Sequence, residues 1–135
     1  MLVESRAFVV ELTPRVVHFE ISADKPDQAV RFYESVFGWK IVKWAGPVDY
    51  WLITTGKQRE PGIDGGLGKR DAGTDAGTVN TIDVPSVDKY SRIIEQNGGK
   101  VIVPKHAIPG VGWIAYFKDP EGNTFGIMQD DASAR

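Results

Sequence analysis

The chain has 135 residues, 41% of them hydrophobic and 25% charged, which suits one soluble folded domain and excludes both a disordered chain and a pair of independent catalytic domains. Sixteen Lys and Arg against 18 Asp and Glu leave a net charge of -2, short of the basic footprint that phosphate backbones require, so no nucleic-acid partner is expected. Cysteine is absent, which removes disulfides, thiolate nucleophiles, iron–sulfur clusters and cysteine-held zinc together.

Charges interrupt every apolar stretch of residues 1–12, and no run approaches the ~20 apolar residues of a membrane span, so a cytoplasmic location and no membrane partner are expected. Residues 1–14 read as an N-terminal extension in which Val9-Val10-Glu11-Leu12 could add an edge strand. From Arg15 to Ser22 the side chains alternate, with Val17, Phe19 and Ile21 on one face and His18 and Glu20 on the other, as in a half-buried strand. Asp24-Lys25-Pro26 opens a helix with a capping carboxylate and an early proline, and Ala29, Val30, Tyr33, Val36 and Phe37 form its apolar stripe. Gly38 can end that helix. Strand-like runs follow at Trp39 to Trp44, Tyr50 to Thr55 and the glycine-rich Gly62 to Gly68.

Residues 71–77 have linker composition, and after them the series begins again. A strand is expected at Thr78 to Val84, a helix at Ser86 to Asn97, and strands at Lys100 to Val103, Trp113 to Lys118 and Thr124 to Gln129. Displacing the chain by 61 residues without a gap lays Ile21 on Ile82, Arg31 on Arg92, Gly38 on Gly99 and Ile53 on Ile114. The shared register argues for an internal duplication. The fold expected is α+β: two tandem βαβββ modules, residues 15–70 and 78–129, forming a curved mixed sheet around a cleft, with 130–135 as a tail.

Four stretches, Arg15-Val-Val-His-Phe-Glu-Ile21, Ala29-Val-Arg-Phe-Tyr33, Phe37-Gly-Trp39 and Asp119-Pro-Glu-Gly-Asn123, resemble the vicinal oxygen chelate superfamily of glyoxalases, extradiol dioxygenases and bleomycin-resistance proteins. The resemblance runs from Arg15 to Gln129. It implies the fold more sharply than the reaction, because one scaffold carries many chemistries. Metal-dependent members of such a family take one ligand from the first and one from the last strand of each module. By resemblance those positions here are His18, Val79, Gly65 and Gly126, so His18 is the only retained family ligand and no metal cofactor is expected. A shifted site would have to draw on Glu20, beside His18, and on Asp83 or His106.

His18 with Glu20 could act as a general base with an orienting carboxylate, or be a polar pair hydrogen-bonding in the mouth of the sheet. Trp44, Trp51 and Trp113 are candidates to stack on a planar ligand, whereas Tyr33 and Phe37 on the helix stripe are expected in the core. The stretch Lys105 to Gly112 could be a lid carrying His106, or a solvated loop. Gly65 and Gly126 are expected to face the cavity, and Asp119 to Asn123 to be a structural turn. Two activities therefore stand side by side: a metal-free protein binding a small planar organic molecule through His18, Glu20, Trp44, Trp51, His106 and Trp113, and a metal-dependent lyase, isomerase or dioxygenase of glyoxalase type using His18. A homodimer is expected in either case, and a purely structural dimer without ligand is a third possibility.

Overall fold

The computed structural model describes residues 13–71 and 77–135; the expected edge strand at Val9 to Leu12 and most of the 71–77 linker lie outside them. Two compact units emerge, one of Val16–Thr81 and one containing Ile82–Arg135.

The alternation of the first strand, β1 (Arg15–Ala23), sends Phe19, Ile21 and Ala23 to one side. There they meet Ile53 of β3 (Tyr50–Thr54) and Leu67 of β4 (Asp64–Lys69), and Ala23, Ile53 and Leu67 are buried. Strand β2 (Lys40–Lys43) pairs antiparallel with β3, β3 antiparallel with β4, and β4 parallel with β1. Between β1 and β2 runs helix α1 (Pro26–Phe37), which ends on Gly38 at φ 70°, its N–H donating to the Glu34 carbonyl.

Two expectations for α1 change. Asp24 does not cap it: the N-cap is Lys25, with no side-chain hydrogen bond, because the Asp24 carboxylate is engaged by the Arg70 guanidinium at 3.0 Å. Phe37 is not core either, being 59% exposed. Tyr33 stacks on Trp39 with ring centroids 5.2 Å apart, and Phe37 lies at the outer end of that stack, which covers it only in part.

In the second unit α2 (Val87–Gln96) has the cap that α1 lacks, since Ser86 Oγ accepts from the Lys89 N–H at 3.1 Å. Its Val87 joins Val84, Ala115, Phe117 and Ile127 in a buried cluster, with Tyr90 and Ile94 packed against it. Strand β5 (Thr78–Asp83) runs through the boundary between the units, residues 78–81 falling in the first and 82–83 in the second. Strands β6 (Lys100–Ile108), β7 (Gly112–Lys118) and β8 (Thr124–Asp130) form an antiparallel run.

The expected lid is a strand. Lys105 to Ile108 continue β6, and only residues 109–111 turn into β7. Pro104, which cannot donate to a ladder, is tolerated because β6 is outermost in its unit and its register shifts between Val101 and Val103 and again between Val103 and His106. Asp119 to Asn123 is the expected turn, with Asp119 Oδ1 accepting from the Glu121 and Asn123 N–H groups at 2.9 Å and Gly122 at φ 85°. The protein thus has an α+β fold with the βαβββ series repeated: eight strands and two helices among the described residues, neither helix long and apolar enough to cross a membrane.

The gap-free repeat register holds through the helices and then slips. Ala29 and Tyr90, and Ile21 and Ile82, pack in corresponding ways against their own cores. Ile53, however, faces its core, whereas Ile114 lies on the face of β7 opposite Ala115 and Phe117. Likewise Gly65 shares the core face of β4 with Leu67, while Gly126 lies between the core-facing Phe125 and Ile127. The hairpins differ in length, residues 55–63 connecting β3 to β4 and 119–123 connecting β7 to β8. A one-residue slip in a strand exchanges its faces.

Candidate functional site

The face of β1 opposite the core carries His18, Glu20 and Ser22, and the parallel register with β4 sets Asp64, Gly66 and Gly68 beside them in that order. On β3 the same alternation turns Trp51 and Ile53 to the core and Tyr50 and Leu52 away from it. Tyr50 crosses the glycine floor of β4 to reach β1: a Cβ built on Gly66 would coincide with its hydroxyl. His18 Nε2 lies 3.0 Å from that Tyr50 Oη, and Oη donates to Glu20 Oε2 at 3.3 Å. A short polar chain, His18–Tyr50–Glu20, is therefore assembled from two strands across a gap that only glycine leaves open.

The three side chains are half-buried, and burial sets their protonation. Desolvation lowers the His18 imidazole below its ordinary 6.5, against the opposing pull of the Glu20 and Asp64 charges. Burial, reinforced by the Glu20 charge and the hydrogen bond to it, raises the Tyr50 phenol well above its ordinary 10.0, so the hydroxyl keeps its proton. At neutral pH the chain holds a neutral imidazole and a neutral phenol.

Of the residues expected at the site, His18 and Glu20 come together, though through Tyr50. Trp44 joins them at the edge, its backbone N–H donating to the Tyr50 carbonyl at 2.8 Å and its ring meeting the Tyr50 ring edge-on at 6.3 Å. Trp51 does not. Strand alternation puts it on the core side, against the Ala23, Ile53 and Leu67 cluster, with Lys43 Nζ 5.6 Å from its ring. Trp113 packs against the second unit's core, its indole N–H donating to Asp131 at 3.0 Å and Lys105 Nζ lying 4.6 Å over its ring. His106 is exposed on β6, with Nδ1 3.1 Å from its neighbour Pro104's carbonyl. Gly65 faces the core beneath Phe19, whose carbonyl and ring a Cβ there would strike, so it does not border a cavity; Gly66 is the glycine on the His18 face.

Tyr50 is the residue the sequence reading passed over. Its signal was the pair of glycines at 66 and 68 on one face of β4, which leaves a large neighbouring ring room to lie across.

Among the described residues no group of three or more His, Asp or Glu is placed to hold a metal ion. His18 Nε2 faces a phenol, and Asp64, opposite His18, is turned to the loop, where it accepts from the Thr55 N–H at 2.8 Å. One further polar atom is unsatisfied within the same unit: Thr81 Oγ1 is buried with no hydrogen-bond partner among the described residues.

Residues 15–127 match the model of the Glyoxalase/Bleomycin resistance protein/Dioxygenase superfamily. Among solved structures, a hypothetical protein from Bacillus halodurans C-125 is similar at TM-score 0.69 and 13% identity, over 92% of this chain and 99% of that one. A Streptomyces coelicolor methylmalonyl-CoA epimerase variant in complex with 2-nitronate-propionyl-CoA is similar at TM-score 0.67 and 19% identity, over 93% and 99%. A methylmalonyl-CoA epimerase in complex with methylmalonyl-CoA and NH4+ is similar at TM-score 0.67 and 17% identity, over 91% and 99%. At such identities the likeness is one of fold. No curated protein sequence matches significantly. With its family match spanning most of the length and its fold shared by these structures, the chain belongs to the Glyoxalase/Bleomycin resistance protein/Dioxygenase superfamily.

Proposed function

We propose that the protein binds a small planar organic molecule, without a metal, on the sheet face that carries His18, Tyr50 and Glu20. The observation that carries this reading is the His18–Tyr50–Glu20 chain itself. Three half-buried polar side chains converge on a glycine floor, with the Trp44 ring at their edge and the apolar Leu52 side chain, 45% exposed, on the same face. Apolar surface with a few fixed polar groups is the usual chemistry of a small-molecule site. Self-association accompanies the reading, supported by the exposed Phe32, Val36 and Phe37 of α1.

Thermal melting of the full chain against planar aromatic antibiotics and short acyl-CoA thioesters tests it. A ligand of this site raises Tm progressively with the logarithm of its concentration once that exceeds Kd, by mass action, and the rise is lost in His18→Ala and Tyr50→Phe. A compound that stabilises the parent and both variants equally binds elsewhere and refutes the assignment.

A second reading, a metal-dependent lyase, isomerase or dioxygenase, is favoured by His18 standing at the first-strand position where metal-binding relatives carry a ligand. Stoichiometric Ni, Zn, Mn or Fe(II) in elemental analysis, absent from His18→Ala, would establish it over the first.

A further inference from the structure

The hydrogen-bond chain fixes more than position. Tyr50 Oη has one proton to give and two neighbours within reach, Glu20 Oε2 at 3.3 Å and His18 Nε2 at 3.0 Å. An ionised carboxylate only accepts. If the phenol proton pointed at His18, the Tyr50 oxygen would face the Glu20 oxygen lone pair to lone pair across a half-buried contact, an unfavourable approach in a low-dielectric setting. Both contacts are favourable in one arrangement alone: Tyr50 donates to Glu20, and His18 donates its Nε2–H to Tyr50. The neutral imidazole then keeps its basic lone pair on Nδ1.

We infer that Glu20 and Tyr50 hold His18 in the Nε2–H tautomer, making His18 Nδ1 the proton acceptor that the site offers its ligand. This rests on the proposed ligand site and narrows its ligands. A molecule that meets the imidazole edge at Nδ1 must bring a proton donor there, a hydroxyl, an amide N–H or an acidified C–H, and a bare carbonyl or carboxylate oxygen is repelled. Glu20 and Tyr50 are positioning residues, acting through His18: the Glu20 charge orients the Tyr50 hydroxyl, and the hydroxyl oxygen selects the ring nitrogen that carries the proton. The arrangement is a carboxylate orienting an imidazole with a phenol inserted between them. It requires Gly66, because a side chain there would occupy the place of the hydroxyl.

The test needs no ligand, so its failure is separable from failure of the binding assignment. Long-range proton–nitrogen NMR spectra of the uniformly labelled full chain, at a pH where the imidazole is neutral, report which nitrogen of each histidine is protonated. There are only two histidines, and His106→Ala assigns them. The parent protein should show His18 with its proton on Nε2, slowed in exchange with water by the bond to Tyr50. Because free imidazole also favours Nε2–H, the variants carry the discrimination. In Tyr50→Phe that proton should exchange rapidly. In Glu20→Met the Tyr50 hydroxyl loses its acceptor and turns to His18, so a measurable population with the proton on Nδ1 should appear. A proton on Nδ1 in the parent overturns the inference, as does a parent-like spectrum, tautomer and exchange alike, in Glu20→Met. Each variant reports independently, so the inference stays open to refutation if either one fails to fold.

Discussion

The two halves of the chain repeat one element order and divide the work of the molecule unequally. The second unit buries five hydrophobic residues around Phe117 and caps its helix with Ser86. The first has three, Ala23, Ile53 and Leu67, a helix with no buried residue, and no side-chain cap. What the first has instead is chemistry: histidine at position 18, where the repeat register brings Val79, and a glycine floor under Tyr50. Glycine in a strand weakens it and contributes no packing, and half-buried polar groups cost solvation. The half that carries the polar chain is accordingly the half with the thinner core.

The largest expected contrast comes from truncating the two cores. Phe117→Ala should cost about 3–5 kcal/mol, the usual toll of emptying a buried aromatic site, and Leu67→Ala about 2–5 kcal/mol, with Phe117→Ala the greater loss in denaturant titrations. Equal or reversed losses would mean that the thinner core is the more tightly fitted one. Next in size is Gly66→Ala. The new methyl displaces Tyr50, costing roughly 1–3 kcal/mol as overpacking does and uncoupling His18 from Glu20. Gly68→Ala meets Tyr50 only at 3.6 Å, an ordinary contact, and should be neutral or gain about 0.4–1 kcal/mol through the unfolded chain. If both substitutions behave alike, the floor is not shaped for Tyr50.

The smallest effect is one of pH. His18 binds its proton less readily folded than unfolded, so the unfolded state takes up the proton first as pH falls below the ordinary 6.5. Stability is complete above that value and declines as pH drops toward the lowered folded pKa. Subtracting the profile of His18→Gln from that of the parent between pH 7 and 5 should isolate this slope, and a difference of opposite sign would mean that the Glu20 and Asp64 charges outweigh burial.

What could be read in the sequence was what repeats locally. Two-residue alternation placed Phe19 and Ile21 inward and His18 and Glu20 outward, and the helix of the second half needed only Ser86 and its periodicity. What could not be read depends on partners distant in the chain. Asp24 looks like a cap until Arg70, 46 residues later, claims it. Tyr50 is one aromatic among many until β4 runs beside β1 with glycine opposite Glu20. The gap-free repeat misled at Gly65 because unequal hairpins shift a strand by single residues, and composition is blind to that shift while the faces are not. Trp51 and Trp113 were plausible ligand contacts by type, and alternation within their own strands assigned them to the cores.

The irregularity of β6 reaches beyond accommodating Pro104. A nine-residue strand lying outermost in its unit, with Val101, Ile102 and Val103 exposed, is a template on which another chain could add a strand. Two register shifts, a residue without an N–H and the charges of Lys100 and Lys105 interrupt that template. At the outer edge of the first unit, β2 is only four residues long with a lysine at each end. Neither of these two edge strands is a smooth template for another strand, which discourages the open-ended stacking that leads to fibrils.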